Sequence, residues 1–183
     1  MKLRYPNVLP ECFVDTNLIQ YLLNGTVNHQ HCCSKVVGTM QSKFSDRFAI
    51  GIIDRDKVEL GYITECRELF NTVHLAIWQH STLPHFLITV APAIDRFILD
   101  CAASCGVCPE DYGLPSDLKE FTIEAKRVTS NKDVRFMNLF AAIRKSPEFV
   151  ILKNVLKYLL DKNYSSDVNE LKEFARLWIA EKE

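Results

Sequence analysis

The segment FAIGIIDRDK, residues 48–57, decides how the rest of the sequence is interpreted. Residues 48–53 are apolar at every position, which is typical of a strand buried in the middle of a parallel sheet. Two carboxylates, Asp54 and Asp56, follow the point where that strand ends. Ligands of open α/β sheets bind outside the carboxyl ends of the strands. This segment therefore predicts both a fold class and the position of a site.

The sequence around this segment alternates short apolar runs with helical periodicity. The first run, Cys12–Val14, predicts a strand that ends at Asp15, and the helical pattern that follows is stopped by Asn24-Gly25. This alternation predicts an α/β fold with a central, mainly parallel sheet flanked by helices. The predicted strands are 12–14, 48–53, 73–78 and 86–90, and the predicted helices are 16–23, 30–43, 62–70 and 93–104.

The C-terminal third of the sequence has an almost entirely helical pattern. Ser146 precedes Pro147, and proline is favoured at the first position of a helix, so a helix is predicted to begin there. Asp167 is a typical helix-capping residue, so a last helix is predicted to begin there. We expect residues 1–114 to form the α/β domain and residues 115–183 a helical extension packed on it, as a single compact unit.

Composition restricts the class of protein. The chain has 183 residues, of which 48% are hydrophobic and 25% are charged, as in an ordinary globular domain. Its 22 basic and 23 acidic side chains exclude broad electrostatic coating of nucleic acid. Residues 1–114 carry 9 basic and 12 acidic side chains, whereas residues 115–162 carry 10 and 6. This local basic excess is compatible with DNA or RNA as a partner.

Apolar runs and cysteines indicate the compartment. No run reaches the ~18 residues of a membrane span, and the N-terminus lacks the apolar core of a signal peptide. We therefore expect a cytoplasmic protein with reduced thiols and no membrane partner. Cys101, Cys105 and Cys108 have the spacing of a radical-SAM iron–sulfur motif, but they fall in and just after an apolar helix. Cysteine there behaves as a small hydrophobe, so no iron–sulfur cluster is expected.

Asp15, Asp54 and Asp56 are the candidate catalytic and metal-binding residues. Each is predicted at or just after the end of a strand, where carboxylates that are distant in sequence converge. Mg²⁺ takes one or two protein carboxylates and completes its octahedron with water and phosphate oxygens, and Mn²⁺ suits the same ligands. A metal held there neutralises a phosphoryl group and activates a water. The competing interpretation is structural, because aspartate also favours turns and helix caps.

Two segments resemble Toprim-like domains, especially those of the OLD nuclease and related defence proteins. Residues 48–57 resemble the Asp-x-Asp strand of these domains. Residues 88–99, ITVAPAIDRFIL, resemble a downstream segment in which a proline precedes an acidic residue and an apolar helix. In such domains a first acidic residue follows strand one, a helix comes next, and the Asp-x-Asp strand follows. The resemblance covers about residues 10–105.

This resemblance implies an Mg²⁺- or Mn²⁺-dependent nuclease or phosphoryl-transfer site. Asp15, Asp54 and Asp56 would form the site, with Asp95 as a helper. Toprim-like domains carry Glu, commonly followed by Gly, at the first acidic position, where this sequence has Asp15-Thr16. That difference favours an alternative, a catalytically inactive module that keeps the fold and the acidic cleft for binding or regulation.

A second resemblance is to the PIN ribonuclease domain. Residues 13–23, FVDTNLIQYLL, resemble its opening motif, and residues 95–106, DRFILDCAASCG, resemble its later Asp-bearing helix. The PIN pattern also includes an acidic residue on an early helix, but residues 16–45 contain none. A PIN-like ribonuclease is the other alternative, and it requires Asp95 to lie beside Asp15.

Further residues are candidates for contact with phosphate. Lys57 follows the Asp-x-Asp pair and is able to neutralise a phosphate, although such a lysine is more often solvated. His29 and His31 come shortly after the first predicted helix and are further helpers. The basic stretch supplies the predicted nucleic-acid contacts, which are Lys119, Lys126, Arg127, Lys132 and Arg135.

Overall fold

A computed structural model describes residues 3–55, 61–167 and 169–173. In chain order its strands and α-helices are β1 (Leu3–Tyr5), β2 (Val8–Pro10), α1 (Phe13–Leu23), β3 (Gly25–Val27), α2 (Cys33–Lys43), β4 (Ala49–Asp54), β5 (Cys66–Asn71), β6 (Leu75–His80), β7 (His85–Val90), α3 (Ile94–Ser104), α4 (Leu118–Ala125), α5 (Val134–Ala142) and α6 (Pro147–Lys162). Short 3-10 turns lie at Gly61–Glu65, Pro109–Tyr112, Val128–Lys132 and Asn163–Ser165. Residues 169–173 are also helical.

Five strands form the main sheet in the order β2-β4-β7-β6-β5. The first three are parallel, whereas β6 is antiparallel to β7 and β5 is antiparallel to β6. β1 and β3 form a separate two-stranded parallel sheet. The fold is therefore α/β, as the sequence predicts. The sheet is mixed, so the prediction of a mainly parallel sheet is not confirmed.

Strand β4 lies inside the sheet, and all six of its residues are buried. Ile50 and Ile52 pack in the cluster that contains side chains of α1 and α3. Ala49 and Ile53 pack in a second cluster with side chains of α2. Because helices cover both faces of this strand, its sequence is continuously apolar rather than alternating.

Two of the sequence predictions are wrong. Residues 12–14, predicted as a strand, cap and begin α1, and Asp15 lies in the first turn of that helix. α1 is buried around most of its circumference, so it lacks the polar face that identifies a helix. Residues 62–70, predicted as a helix, form a 3-10 turn followed by β5. The register of β5 shifts between Glu68 and Phe70, which breaks the alternation by which strands are recognised.

Helices α5 and α6 pack against α1, α4 packs against α3, and all three share the main hydrophobic cluster with the sheet. The ring of Tyr21 on α1 lies 5.8 Å from that of Phe140 on α5 and 6.2 Å from that of Phe149 on α6. Pro147 is the first residue of α6 and Ser146 precedes it, as the sequence predicts. α6 has 16 residues, and no helix within the described ranges is long and apolar enough to cross a membrane.

Strand β5 ends the main sheet at one edge. Arg67 and Glu68 are exposed on it, and the shift of register follows directly. The guanidinium of Arg67 donates a hydrogen bond to Oε1 of Gln79 on the neighbouring strand at 2.8 Å. This edge is therefore short, charged and irregular.

Candidate acidic site

An acidic residue stands at the carboxyl end of each of two neighbouring parallel strands. Glu11 directly follows β2, and Asp54 is the last residue of β4. The backbone N–H of Asp54 donates a hydrogen bond to Oε2 of Glu11 at 3.2 Å. The backbone N–H of Glu11 in turn donates to the carbonyl oxygen of Ile52 at 3.1 Å. These bonds fix two buried carboxylates at one edge of the sheet.

Asp15 joins this edge from the first turn of α1. The backbone N–H of Cys12 donates to Oδ2 of Asp15 at 3.0 Å, and the Cys12 thiol donates to Oδ1 at 2.9 Å. Cys12 precedes the first residue of the helix, so this pair forms a capping box with cysteine in the usual place of serine or threonine. The carboxylate of Asp15 is thereby held in a fixed orientation inside the protein.

Asp54 also contacts the start of α3. Its Oδ1 accepts a hydrogen bond from the backbone N–H of Ile94, the first residue of that helix, at 3.0 Å. This bond satisfies an N–H that the helix itself leaves without an acceptor. Asp95, the predicted helper, is the next residue and is buried in the first turn of α3. The amino ends of α1 and α3 therefore meet at the carboxyl ends of β2 and β4.

The electrostatics of this edge are dominated by burial and mutual repulsion. Burial raises the pKa of Asp15 to about 7, and the negative charges of Asp54 and Glu11 act in the same direction. The two hydrogen bonds from Cys12 oppose this shift. Burial and the nearby Asp15 raise the pKa of the Cys12 thiol, so the thiol keeps its proton and remains a donor. Carboxylates arranged in this way are stabilised by a proton or by a bound cation.

Two of the predicted residues, the metal ligand Asp56 and the helper Lys57, lie outside the described residues. In the ranges that the structure covers, no group of three His, Cys, Asp or Glu side chains has the geometry of a metal site. The residues that are brought together, Glu11, Asp15 and Asp54, supply hard oxygen donors, which are the ligands that Mg²⁺ and Mn²⁺ take in proteins. These three carboxylates are therefore of the right ligand type for Mg²⁺ or Mn²⁺.

His29 and His31, the other predicted helpers, form an aromatic cluster on α1. The ring of His29 stacks on Phe13 with centroids 4.6 Å apart, and the ring of His31 lies 4.8 Å from that of His29. Nδ1 of His29 is 2.7 Å from the hydroxyl of Thr16, which donates to the carbonyl oxygen of Cys12. Burial lowers the pKa of His29, and the charge of His31 acts in the same direction. Both histidines therefore pack against the helical turn that carries Asp15.

The two arginines predicted to contact nucleic acid are engaged in ion pairs. Arg135 lies 2.7 Å from Oδ2 of Asp133 and 2.8 Å from Oε2 of Glu124. Arg127 lies 2.9 Å from the other carboxylate oxygen of Glu124. These interactions raise the pKa of Arg135. Both guanidinium groups thus have acidic partners within the helical part of the chain.

The three lysines of the same prediction are exposed. Lys119 lies on α4, and Lys126 follows the last residue of that helix. Lys132 ends the 3-10 turn before α5 and lines a cavity of about 670 Å³ between α1 and α6. None of the three forms an ion pair with another residue in the described ranges. The two arginines, in contrast, have acidic partners at ion-pair distance.

The sequence interpretation missed Glu11. The signal for it was the apolar triplet of residues 8–10, which forms β2 immediately before this carboxylate. A three-residue strand is shorter than the runs by which strands are recognised. The helical spacing of Val14 and Leu18 also indicated that the helix begins earlier than residue 16.

Comparisons with protein-family models, with curated proteins and with solved structures found no match to this chain. The resemblances to Toprim-like and PIN domains therefore stay predictions that rest on residues 48–57, 88–99, 13–23 and 95–106.

Proposed function

We propose that this chain is an Mg²⁺- or Mn²⁺-dependent phosphodiesterase of Toprim-like type that acts on nucleic acid. The observation that carries the proposal is the meeting of Glu11 and Asp54 at the carboxyl ends of two neighbouring parallel strands. Asp15 adds a third carboxylate from the helix that follows β2. Open α/β sheets bind their ligands at this position.

The proposed chemistry assigns a role to each carboxylate. Glu11 and Asp54 would hold the cation, and Asp56, two residues beyond Asp54 in the sequence, would complete the acidic set. The cation supplies neutralisation of phosphoryl charge and activation of water. Asp15, oriented by Cys12, would position water or contribute a further oxygen ligand. Helix amino ends beside the site favour the negative charge of a phosphate.

The position of Glu11 supports the Toprim-like assignment. In such domains a Glu follows the first strand, a helix comes next, and the Asp-x-Asp strand follows. Here Glu11 follows β2, which is the first strand of the main sheet along the chain. α1, β3 and α2 come next, and β4 then ends at Asp54 with Asp56 two residues later. On the proposed assignment Glu11 would take the first acidic position that the resemblance gave to Asp15, and Cys12 would stand where that family commonly has Gly. If Glu11 is the family Glu, the difference at Asp15-Thr16 would not count against catalysis.

A non-catalytic binding or regulatory module is the second candidate function. This candidate is favoured because the carboxylate oxygens already accept hydrogen bonds from other parts of the chain. Both oxygens of Asp15 accept hydrogen bonds from Cys12, and one oxygen of Asp54 accepts from Ile94. A protein that uses these groups mainly to join strands and helices would bind a cation without hydrolysing a phosphodiester.

Metal binding is tested first, by calorimetric titration of Mg²⁺ and Mn²⁺ into the wild-type chain and into Asp54→Asn. The amide of this variant keeps an oxygen that accepts from Ile94, so the fold should be retained while a charged ligand is lost. We expect affinity to fall about 10-fold or more. Asp46→Asn is the charge-matched control, because Asp46 is exposed in the loop before β4. Equal metal affinity in the wild type and Asp54→Asn would contradict the proposed site.

Hydrolysis is tested next on single- and double-stranded DNA and RNA with each metal. Cleavage that disappears in Glu11→Gln and Asp54→Asn but persists in Asp46→Asn would support the phosphodiesterase. Metal binding that depends on Asp54, with no cleavage of any of these substrates, would instead support the binding module. Cleavage that survives in both variants would come from another site or from a contaminant.

A further inference from the structure

A cavity of about 670 Å³ lies between the C-terminal half of α1 and the helices α5 and α6. Its volume is in the range of about 300–1,000 Å³ that is typical of pockets for small molecules. One wall is formed by α1 and the residues that follow it, and the opposite wall is formed by α6. The cavity shares no residue with the acidic cluster of Glu11, Asp15 and Asp54.

The charged residues that line the cavity are all basic. They are Lys132, Arg144, Lys153 and Lys157. Lys153 and Lys157 lie one helical turn apart on α6, so they project from the same face of that helix. None of the four has an ion pair with any residue that the structure describes. Four like charges held around one cavity repel each other and favour an anion between them.

The uncharged lining separates into an apolar part and a carboxamide part. Leu22, Leu23 and Phe149 are buried and form the apolar part. Gln20 and Asn131 are half-buried, and their side chains make no hydrogen bond to another described residue. Carboxamides present a donor and an acceptor side by side, which is the pattern that pairs with the edge of a nucleobase. The cavity therefore suits a ligand with both a polyanionic and a planar, hydrogen-bonding part.

We propose that this cavity binds a nucleoside triphosphate, with the four basic side chains around the phosphates and the carboxamides against the base. A terminal phosphate carries roughly two negative charges at neutral pH and each of the two inner phosphates carries about one, so a nucleoside triphosphate balances the charge of four cations. Inorganic phosphate would leave the carboxamides and the apolar part unused. The phosphates of a nucleic-acid strand have related chemistry, and the test separates the two sources.

The test is calorimetric titration of the full chain with ATP, GTP, CTP and UTP in a chelating buffer, which keeps metal out of the acidic site. Inorganic triphosphate and a single-stranded oligonucleotide are titrated in parallel. We expect at least one nucleotide to bind, and inorganic triphosphate to bind about tenfold or more weakly. The double variant Lys153→Gln/Lys157→Gln should weaken nucleotide binding by about tenfold or more.

A matched control removes two lysines elsewhere. Lys35→Gln/Lys43→Gln neutralises two exposed residues of α2, which packs in the other hydrophobic cluster, and should leave nucleotide binding unchanged. The proposal is overturned if no nucleotide binds, if inorganic triphosphate binds as tightly, or if both double variants lose affinity equally. An oligonucleotide that binds more tightly and displaces the nucleotide would also overturn it. Thermal unfolding of both variants checks that they remain folded.

Discussion

The two ends of helix α1 lie beside groups of opposite charge, which are buried at the amino end and exposed at the carboxyl end. At its amino end Glu11, Asp15 and Asp54 are at most 7% exposed and are held by hydrogen bonds from the chain. At its carboxyl end, Arg144 and Lys157 are exposed at the cavity and have no ion pair among the described residues. α1 has 11 residues, which gives it a length of about 16 Å.

This difference separates charge that affects folding from charge that is available to a ligand. Acids near the amino end and cations near the carboxyl end both suit the helix dipole. Ionising a buried carboxylate next to others is costly, whereas an exposed cation costs little. We therefore expect changes at the acidic end to alter stability, and changes at the basic end to alter binding while stability stays nearly constant.

The largest effect is expected from the charge of Asp15. Because its pKa is raised from 3.8 to about 7, the folded chain in this window holds a proton that the unfolded chain has released. The free energy of unfolding should fall as pH rises through the window, by up to about 4 kcal/mol relative to Asp15→Asn. Urea unfolding of both proteins between about pH 4 and about pH 8 measures this. A difference that does not change with pH would mean that Asp15 titrates normally.

An intermediate loss of stability is expected when the tightly packed backbone at Gly51 is given a side chain. Gly51 lies on β4, the strand that ends at Asp54. A Cβ added at Gly51 would lie 2.7 Å from a methyl of Leu87, 2.8 Å from one of Val36 and 2.9 Å from the sulfur of Met40. Gly51→Ala should therefore destabilise the fold by about 1–3 kcal/mol, measured by chemical unfolding. Gly38→Ala is the control, since nothing lies within 4 Å of its added Cβ.

The control should change stability in the opposite direction. Gly38 is exposed on α2, and alanine in a helix interior is more favourable than glycine by about 0.8–1 kcal/mol. Similar losses of stability in Gly51→Ala and Gly38→Ala would show that close packing of β4 against α2 is not the cause.

The smallest effect is expected at the basic end. Lys153→Gln/Lys157→Gln removes two positive charges that have no ion pair among the described residues, and it should change the free energy of unfolding by no more than about 0.5 kcal/mol. Urea unfolding at neutral pH checks this. A loss of several kcal/mol would mean that these lysines stabilise α6 and would remove the contrast between the two ends of α1.

Long, strongly patterned elements were predictable from the sequence. The run of apolar residues 48–53 indicated β4, and residues 86–90 indicated β7, because strands covered on both sides need no polar positions. Pro147 indicated the start of α6 because proline fits the first turn of a helix. The position of Asp54 at the end of β4 was predictable as well, because the apolar run stops directly before it.

Other features depended on tertiary structure. β2 has three residues, so neither the strand nor the position of Glu11 at its end stood out. Asp15 was predicted near Asp54 on the argument that it ends a strand, whereas α1 brings it there from a helical turn. The basic excess of residues 115–162 was visible, but the cavity exists only where α1, α5 and α6 pack together. Basic residues can be counted in a sequence, whereas the cavity that they line depends on how these helices pack.

The irregular edge at β5 affects what happens when two copies of the chain meet. An exposed strand edge is a template on which another molecule can add a strand and begin to aggregate. Here Arg67 and Glu68 are exposed on β5, and its register shifts immediately after them. A bulge twists a strand away from a flat partner, and bringing charged side chains into a fibril removes them from water. The same irregularity that concealed β5 in the sequence therefore makes this edge a poor template for an added strand.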